Sequence, residues 1–225
     1  MPVMTRDARE RMVCADGQRN ADGMIGKLWP GCAMTGLTKG QFSQINIIRT
    51  VLDSTGPAHL IVSTWTMSPG DAERLSLLAA DGRLLSVVVL ADRSFPRCKP
   101  EYCAYVQQLF GAASVRATKT HSKFALIWND AWSVVVRGSM NLNANPRFEQ
   151  FDLDDSPELL AFFREHVEAQ PVGFDAPMVE HEFAKPLGEP TTAAERRGIK
   201  AKKDRDKDLA LAVTAKNAAH FPAGG

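Results

Sequence analysis

From about residue 38 the chain alternates between two hydrophobic periods, one helical and one extended. Phe42, Ile45, Ile48, Val51 and Leu52 recur every three or four residues behind a Thr38/Gln41 capping-box pattern, which predicts a helix from about Lys39 to Asp53. Gly56-Pro57 ends it, and the β-formers of Leu60 to Trp65 make a short strand. Ser68-Pro69-Gly70-Asp71 combines an N-cap, a proline at the first helical position and an early acid, so a second helix runs through Leu78 and Ala79. Leu84 to Leu90 is nearly all aliphatic, the pattern of a strand covered on both faces. Pro100 to Phe110 reads as a helix and Ala113 to Ala117 as a strand. Thr120 to Trp128 and Trp132 to Arg137 then form two strands about an Asn129-Asp130 turn. Ser156-Pro157-Glu158 opens a last helix, whose apolar face is Leu159, Leu160, Phe162, Phe163 and Val167.

Helix and strand in this order describe an α/β fold in which a mixed β-sheet is sandwiched between helices, one copy per chain. The stretch 36–170 is long enough to bury its own core without metals or disulfides. Residues 1–35 are expected to be an N-terminal arm, polar and without a clear period, which Trp29-Pro30-Gly31-Cys32 docks on the domain. Residues 171–225 are read as a proline-containing linker, with Pro171, Pro177, Pro186 and Pro190, followed by a basic, partly helical or disordered tail.

The formal charge of +1 over 225 residues excludes a polybasic nucleic-acid binder. The charge is nonetheless uneven. Between Glu195 and Lys207 seven Lys or Arg stand against three acids, behind a Thr192/Glu195 capping box. A solvated tail is the ordinary reading of such a run, and sequence-independent phosphate contact is the functional one. Cys14, Cys32, Cys98 and Cys103 lack zinc spacing and fit free thiols in a reducing cytosol. His59, His166, His181 and His220 have no partner at ligand spacing. No metal or other cofactor is called for. Without a long apolar span or a leader pattern, the expected setting is cytoplasmic, with no membrane partner.

The chemistry gathers at the strand pair. Alternate residues of a strand share a face, so His121 and Lys123 point the same way, and the returning strand lays Gly138 to Asn141 beside them. A neutral imidazole can attack phosphorus and split one displacement into two. Lys123 supplies positive charge, and Ser139 and Asn141 supply hydrogen-bond donors for equatorial phosphate oxygens. Singly, a strand histidine is more often a satisfied packing residue and a Gly-Ser pair usually a turn. Their joint spacing favours a site.

His121-Ser122-Lys123 and Gly138-Ser139-Met140-Asn141 resemble the two ends of the phospholipase D superfamily motif, His-x-Lys followed by Gly-Ser-x-Asn. Trp128 stands where that motif has Asp, and the intervening hairpin is about three residues longer, as a turn growing outward would make it. The resemblance implies His121 as nucleophile, Lys123, Ser139 and Asn141 as both catalytic and substrate-binding residues, and a downstream acid, here Glu149, that orients the imidazole. Arg147 is either a phosphate contact or a surface charge.

No second His-x-Lys with Gly-Ser-x-Asn is present, and one histidine cannot be nucleophile and general acid together. Single-motif members of the family, typified by small bacterial endonucleases, set two copies of the site face to face, so a twofold homodimer is expected. The leading expectation is a metal-independent phosphodiesterase, a nuclease hydrolysing DNA through a phosphohistidine. The second is a non-catalytic module that holds a nucleic-acid backbone in the same cleft, a reading the Trp128 departure keeps open. A phospholipid phosphodiesterase is the third.

Overall fold

The computed structural model describes residues 11–14, 19–95, 100–143 and 146–172. Among these, one mixed sheet is built from β1 (Met12–Cys14), β2 (Ala33–Thr38), β3 (Ala58–Thr64), β4 (Leu84–Asp92), β5 (Val115–Thr118), β6 (Lys123–Trp128), β7 (Ser133–Gly138) and β8 (Glu149–Asp155). Its spatial order is β1-β2-β8-β7-β6-β3-β4-β5. The strands β3, β4 and β5 run parallel, whereas β6, β7, β8 and β2 pair antiparallel in sequence from β3 outward. The helices are α1 (Ala21–Ile25), α2 (Gln44–Thr55), α3 (Pro69–Ala80), α4 (Pro100–Phe110) and α5 (Pro157–Glu168).

The sheet divides two apolar layers. On one face Ile48 and Val51 of α2, Leu75 of α3 and Val106 of α4 pack with Leu60, Ile127, Val136, Phe151 and Leu153 of the strands. On the other, Leu160 and Val167 of α5 meet Ile61, Leu126 and Val135. Burying an aliphatic side chain of this size contributes about 1.5–3 kcal/mol, and the two layers hold the strand ends in fixed register. The α/β fold with helices on both sides of a mixed sheet is thus the one the hydrophobic periods predict.

Capping chemistry sets two helix starts as expected. Ser68 Oγ accepts from the Asp71 N–H at 3.1 Å and Ser156 Oγ from the Leu159 N–H at 3.4 Å, each followed by proline. The start of α2 differs. Thr38 is drawn into β2 opposite Glu149, Gly40 takes φ +82°, and the helix begins at Gln44, where the Ser43 N–H donates to Asn46 Oδ1 at 3.0 Å.

Two strands and a boundary depart from the periodic reading. The expected domain edge at Gly36 falls inside β2, and β1 and α1 belong to the same body, so the described part of the N-terminal arm supplies sheet and core. Gly31 and Cys32 do fasten this segment: the Gly31 N–H donates to Asp155 Oδ2 at 2.8 Å, and Cys32 is buried. Strand β8 alternates Phe151 and Leu153 with acids that look solvent-facing. Asp154 is in fact buried, held by Arg11 at 2.5 Å and by Arg137, while Asp152 accepts from Thr35 Oγ1 at 2.6 Å. The aliphatic run of β4 is not covered throughout: Leu84, Val89, Leu90 and Ala91 are buried, but Leu85 is 56 % exposed.

Cys14 and Cys32 are free thiols, and both they and Cys103 are buried. No helix among the described residues is long and apolar enough to cross a membrane. Cys98, His181, His220 and the basic run from Glu195 to Lys207 lie outside the described residues.

Candidate functional site

Antiparallel pairing brings the two motif halves to one edge of the sheet. Lys123 at the start of β6 stands opposite Gly138 at the end of β7, and the Ser139 N–H donates to the Gln150 carbonyl of β8 at 3.1 Å. The carboxyl ends of β2 and β3 reach the same edge, since Thr38 pairs with Glu149 and Ser63 with Phe124. His121, Lys123, Ser139, Asn141 and Glu149 therefore come from three strand ends and their adjoining loops, with the ends of β2 and β3 beside them.

His121 sits two residues before β6, outside the strand predicted to carry it. Three contacts fix its segment: the Thr120 N–H donates to Asp92 Oδ2 at 3.0 Å, the Ser122 N–H to Thr120 Oγ1 at 3.1 Å, and Ser63 Oγ to the Ser122 carbonyl at 2.9 Å. The side chain itself is exposed. The Lys123 ammonium donates to the His121 carbonyl at 2.7 Å and lies 2.9 Å from Nδ1 and 3.2 Å from Nε2 of the ring. An ammonium has donors only, so the ring nitrogen that it engages accepts. Lys123 is buried, and burial pushes its pKa below the usual lysine range, an effect that the nearby Glu149 carboxylate partly offsets.

Asn141 is oriented by β3. Its Oδ1 accepts from the Trp65 N–H at 3.2 Å, which fixes the amide so that the NH2 group is turned away as donor. Thr64 supports the same loop: its hydroxyl donates to the Thr66 carbonyl at 2.6 Å and accepts from the Leu142 N–H at 3.2 Å. Asn141 Oδ1 lies 3.3 Å from that hydroxyl, but its single proton serves the shorter bond to Thr66.

Glu149 is placed differently from the role the resemblance implies. Its carboxylate accepts from the Ser139 hydroxyl, and the Gln150 N–H donates to that same oxygen of Ser139 at 3.0 Å. Lying on β8, it is separated from β6 by β7 and meets Ser139 first. The imidazole has Lys123 and the Trp65 ring, 5.9 Å between centroids, as its neighbours. Arg147 is exposed two residues before Glu149 and makes no ion pair among the described residues.

Gly138 is more than a turn residue. A Cβ at this position would run into the Gln150 carbonyl oxygen and come within 3.2 Å of Phe151 Cα, so the close approach of β7 to β8 beside Ser139 requires glycine.

Trp128, which occupies the motif's Asp position, closes the far end of β6 opposite Ser133. Five residues at about 3.3 Å each put it on the order of 17 Å along the strand from Lys123. There it stacks on His59, with centroids 5.3 Å apart, beneath the Arg164 guanidinium at 4.7 Å. Asp130 lies in the hairpin connection at the same far end, on an open cavity of about 460 Å³ shared with Pro57, His59, Leu85, Asn129 and Ala131. Neither residue touches the His121 cluster. Sequence reasoning missed Asp92, Ser63, Thr64 and the Trp65 backbone; the signal was their place at the carboxyl ends of parallel strands, where α/β sheets build sites.

The arrangement offers one nucleophilic nitrogen, one ammonium, one amide donor and one hydroxyl held by a carboxylate. Among the described residues no three His, Cys, Asp or Glu side chains converge as a metal-holding group. The two motif halves, His121-Ser122-Lys123 and Gly138-Ser139-Met140-Asn141, lie at adjoining ends of β6 and β7. No protein-family model matches the sequence, and no curated protein is significantly similar to it. Among solved structures, NucT from Helicobacter pylori is similar with 17 % identity and a TM-score of 0.45 over 63 % of this chain and 99 % of NucT. Polyphosphate kinase from Porphyromonas gingivalis has 10 % identity and a TM-score of 0.45, and the match covers 66 % of this chain and 27 % of the kinase. Phosphatidylserine synthase from Haemophilus influenzae has 11 % identity and a TM-score of 0.43, covering 79 % of this chain and 47 % of the synthase.

Proposed function

We propose that the protein is a phospholipase D-type phosphodiesterase that hydrolyses nucleic acid, DNA in the first place, without a metal. The observation that carries this reading is the convergence of His121, Lys123, Ser139 and Asn141 on one sheet edge, with the Lys123 ammonium 2.9 Å from an imidazole nitrogen. Non-bridging phosphate oxygens compete for the Lys123 protons and draw the ammonium off the ring. The freed nitrogen attacks phosphorus, a P–N bond forms, and the P–O bond to the leaving alcohol breaks. Lys123 and the Asn141 amide stabilise the charge on the equatorial oxygens, and Glu149 fixes the Ser139 hydroxyl beside them. The leaving oxygen needs a proton that one histidine cannot supply while attacking. In a twofold homodimer the partner's His121 gives that proton, then takes one from the water that cleaves the P–N bond. Preference for nucleic acid over lipid rests on the basic run at Glu195–Lys207, a charge pattern suited to phosphate contact without sequence reading.

Replacing His121→Ala tests the reading. Cleavage of DNA in EDTA is expected to fall by at least about a thousandfold with DNA binding retained, and acid-labile phosphate is expected on His121 of the wild type after rapid quench. If the wild type cuts no single strand, duplex, RNA or simple phosphodiester, the catalytic reading is wrong and the cleft only binds.

A further inference from the structure

Trp65 is 46 % exposed immediately after β3, yet it is fixed on both sides to the candidate site. Its backbone N–H holds Asn141 Oδ1 at 3.2 Å, and its indole stands 5.9 Å from the His121 imidazole, the two planes 50° apart. The same sheet edge exposes a second aromatic, Phe148, 67 % accessible and one residue before the Glu149 that holds Ser139. In the strand order, β7 and β6 lie between β8 and β3. Three strand spacings of about 4.8 Å therefore set the two aromatics roughly 14 Å apart across the phosphate cradle.

We infer that Trp65 is a stacking platform for the unpaired base beside the phosphate on His121, so that the substrate is single-stranded nucleic acid. Every base offers a π face to an indole, whatever its identity, and such contacts bind single strands without reading sequence. A base within a duplex already has both faces covered by its neighbours and must leave the stack to reach Trp65. A chain crossing the edge meets Phe148, the cradle and Trp65 in that order. The inference rests on the proposed function only for the phosphate at His121.

The test uses the full chain carrying His121→Ala, titrated with oligothymidylate, with the duplex of the same sequence, and with an oligomer of equal length that lacks bases. Tryptophan quenching and Kd are read together. Single strand is expected to quench and to bind more tightly than duplex. Trp65→Leu should weaken it on the order of tenfold, and Trp65→Phe should recover most of the loss. On the base-free oligomer Trp65→Leu should change nothing, because the contact it removes is already absent. Trp65→Phe, compared between the two oligomers, serves if the leucine variant does not fold. Equal loss on both oligomers, equal binding of duplex and single strand, or dissociation of the chain into monomers by Trp65→Leu would overturn the inference. Transfer of the Trp65 dependence to anionic phospholipid vesicles would overturn it as well. Tight, Trp65-dependent binding by a wild type that leaves the oligomer uncut in EDTA sinks the catalytic reading alone. Cleavage indifferent to Trp65 sinks the stacking alone.

Discussion

Lys123 is the residue in which stability and the proposed chemistry oppose each other. It is buried at the sheet edge, and burial lowers its pKa from the ordinary value of 10.5, with Glu149 acting in the other direction. At neutral pH the folded state therefore carries a cost for holding the charge. As pH rises through the folded-state pKa towards 10.5, the unfolded chain binds the extra proton, and stability attributable to this group increases. Lys123→Met is expected to raise stability at pH 7 while abolishing cleavage, with the gap from wild type closing at alkaline pH in denaturant titrations. Cleavage by the wild type should fall on the alkaline side below pH 10.5, and Lys123→Arg should carry that limb higher because a guanidinium stays charged. Trp128 makes the opposite case. Trp128→Asp restores the motif residue but removes a ring stacked on His59 and covered by Arg164, so it should cost about 1–2 kcal/mol with kcat unchanged. A rise in kcat of tenfold or more would show that the far end of the hairpin does reach the chemistry.

Between elements, the site depends on the register of β6, β7 and β8. The hairpin was legible because two runs of β-formers, Phe124 to Trp128 and Ser133 to Val136, flank an Asn129-Asp130 turn, and that pairing alone returns Gly138 to Lys123. The third strand was not, since its acids look solvated until Arg11 and Arg137 are seen beside Asp154. Gly138 joins these strands. Gly138→Ala forces its Cβ against the Gln150 carbonyl, a backbone atom that cannot swing away, and should cost about 1–3 kcal/mol in thermal or denaturant unfolding. The same displacement carries Ser139 off Glu149 and Gln150, so kcat should drop further than stability does at temperatures where the variant stays folded. Full activity in a stably folded Gly138→Ala would show that the Ser139 hydroxyl needs no such placement.

At the scale of the whole molecule, the sequence repeats neither half of the motif, and the proposed mechanism obtains its general acid by twofold association. Specific activity is then expected to fall on dilution through the dimer dissociation range, in step with sedimentation. Mixed dimers of wild type and His121→Ala should turn over at most a few per cent as fast as wild-type dimers, since each lacks either the nucleophile or the acid. Undiminished activity of a strict monomer would require a second acid within the chain.

What the sequence determined by itself was local: which stretches coil or extend, where Ser68 and Ser156 cap helices, and that His121, Lys123, Ser139 and Asn141 meet across one hairpin. Those properties follow from periodicity, turn chemistry and strand pairing between neighbours in the chain. Tertiary structure decided what depends on distant segments: β1 and β2 joining the sheet, Asp92 and Ser63 holding Thr120 and Ser122 on either side of His121, and the Trp65 backbone aiming Asn141. It also assigned Glu149 to Ser139 and removed Trp128 from the site. The reason is that a side chain's partner is chosen by which strand lies next to it, and in a mixed sheet the neighbour is often remote in sequence.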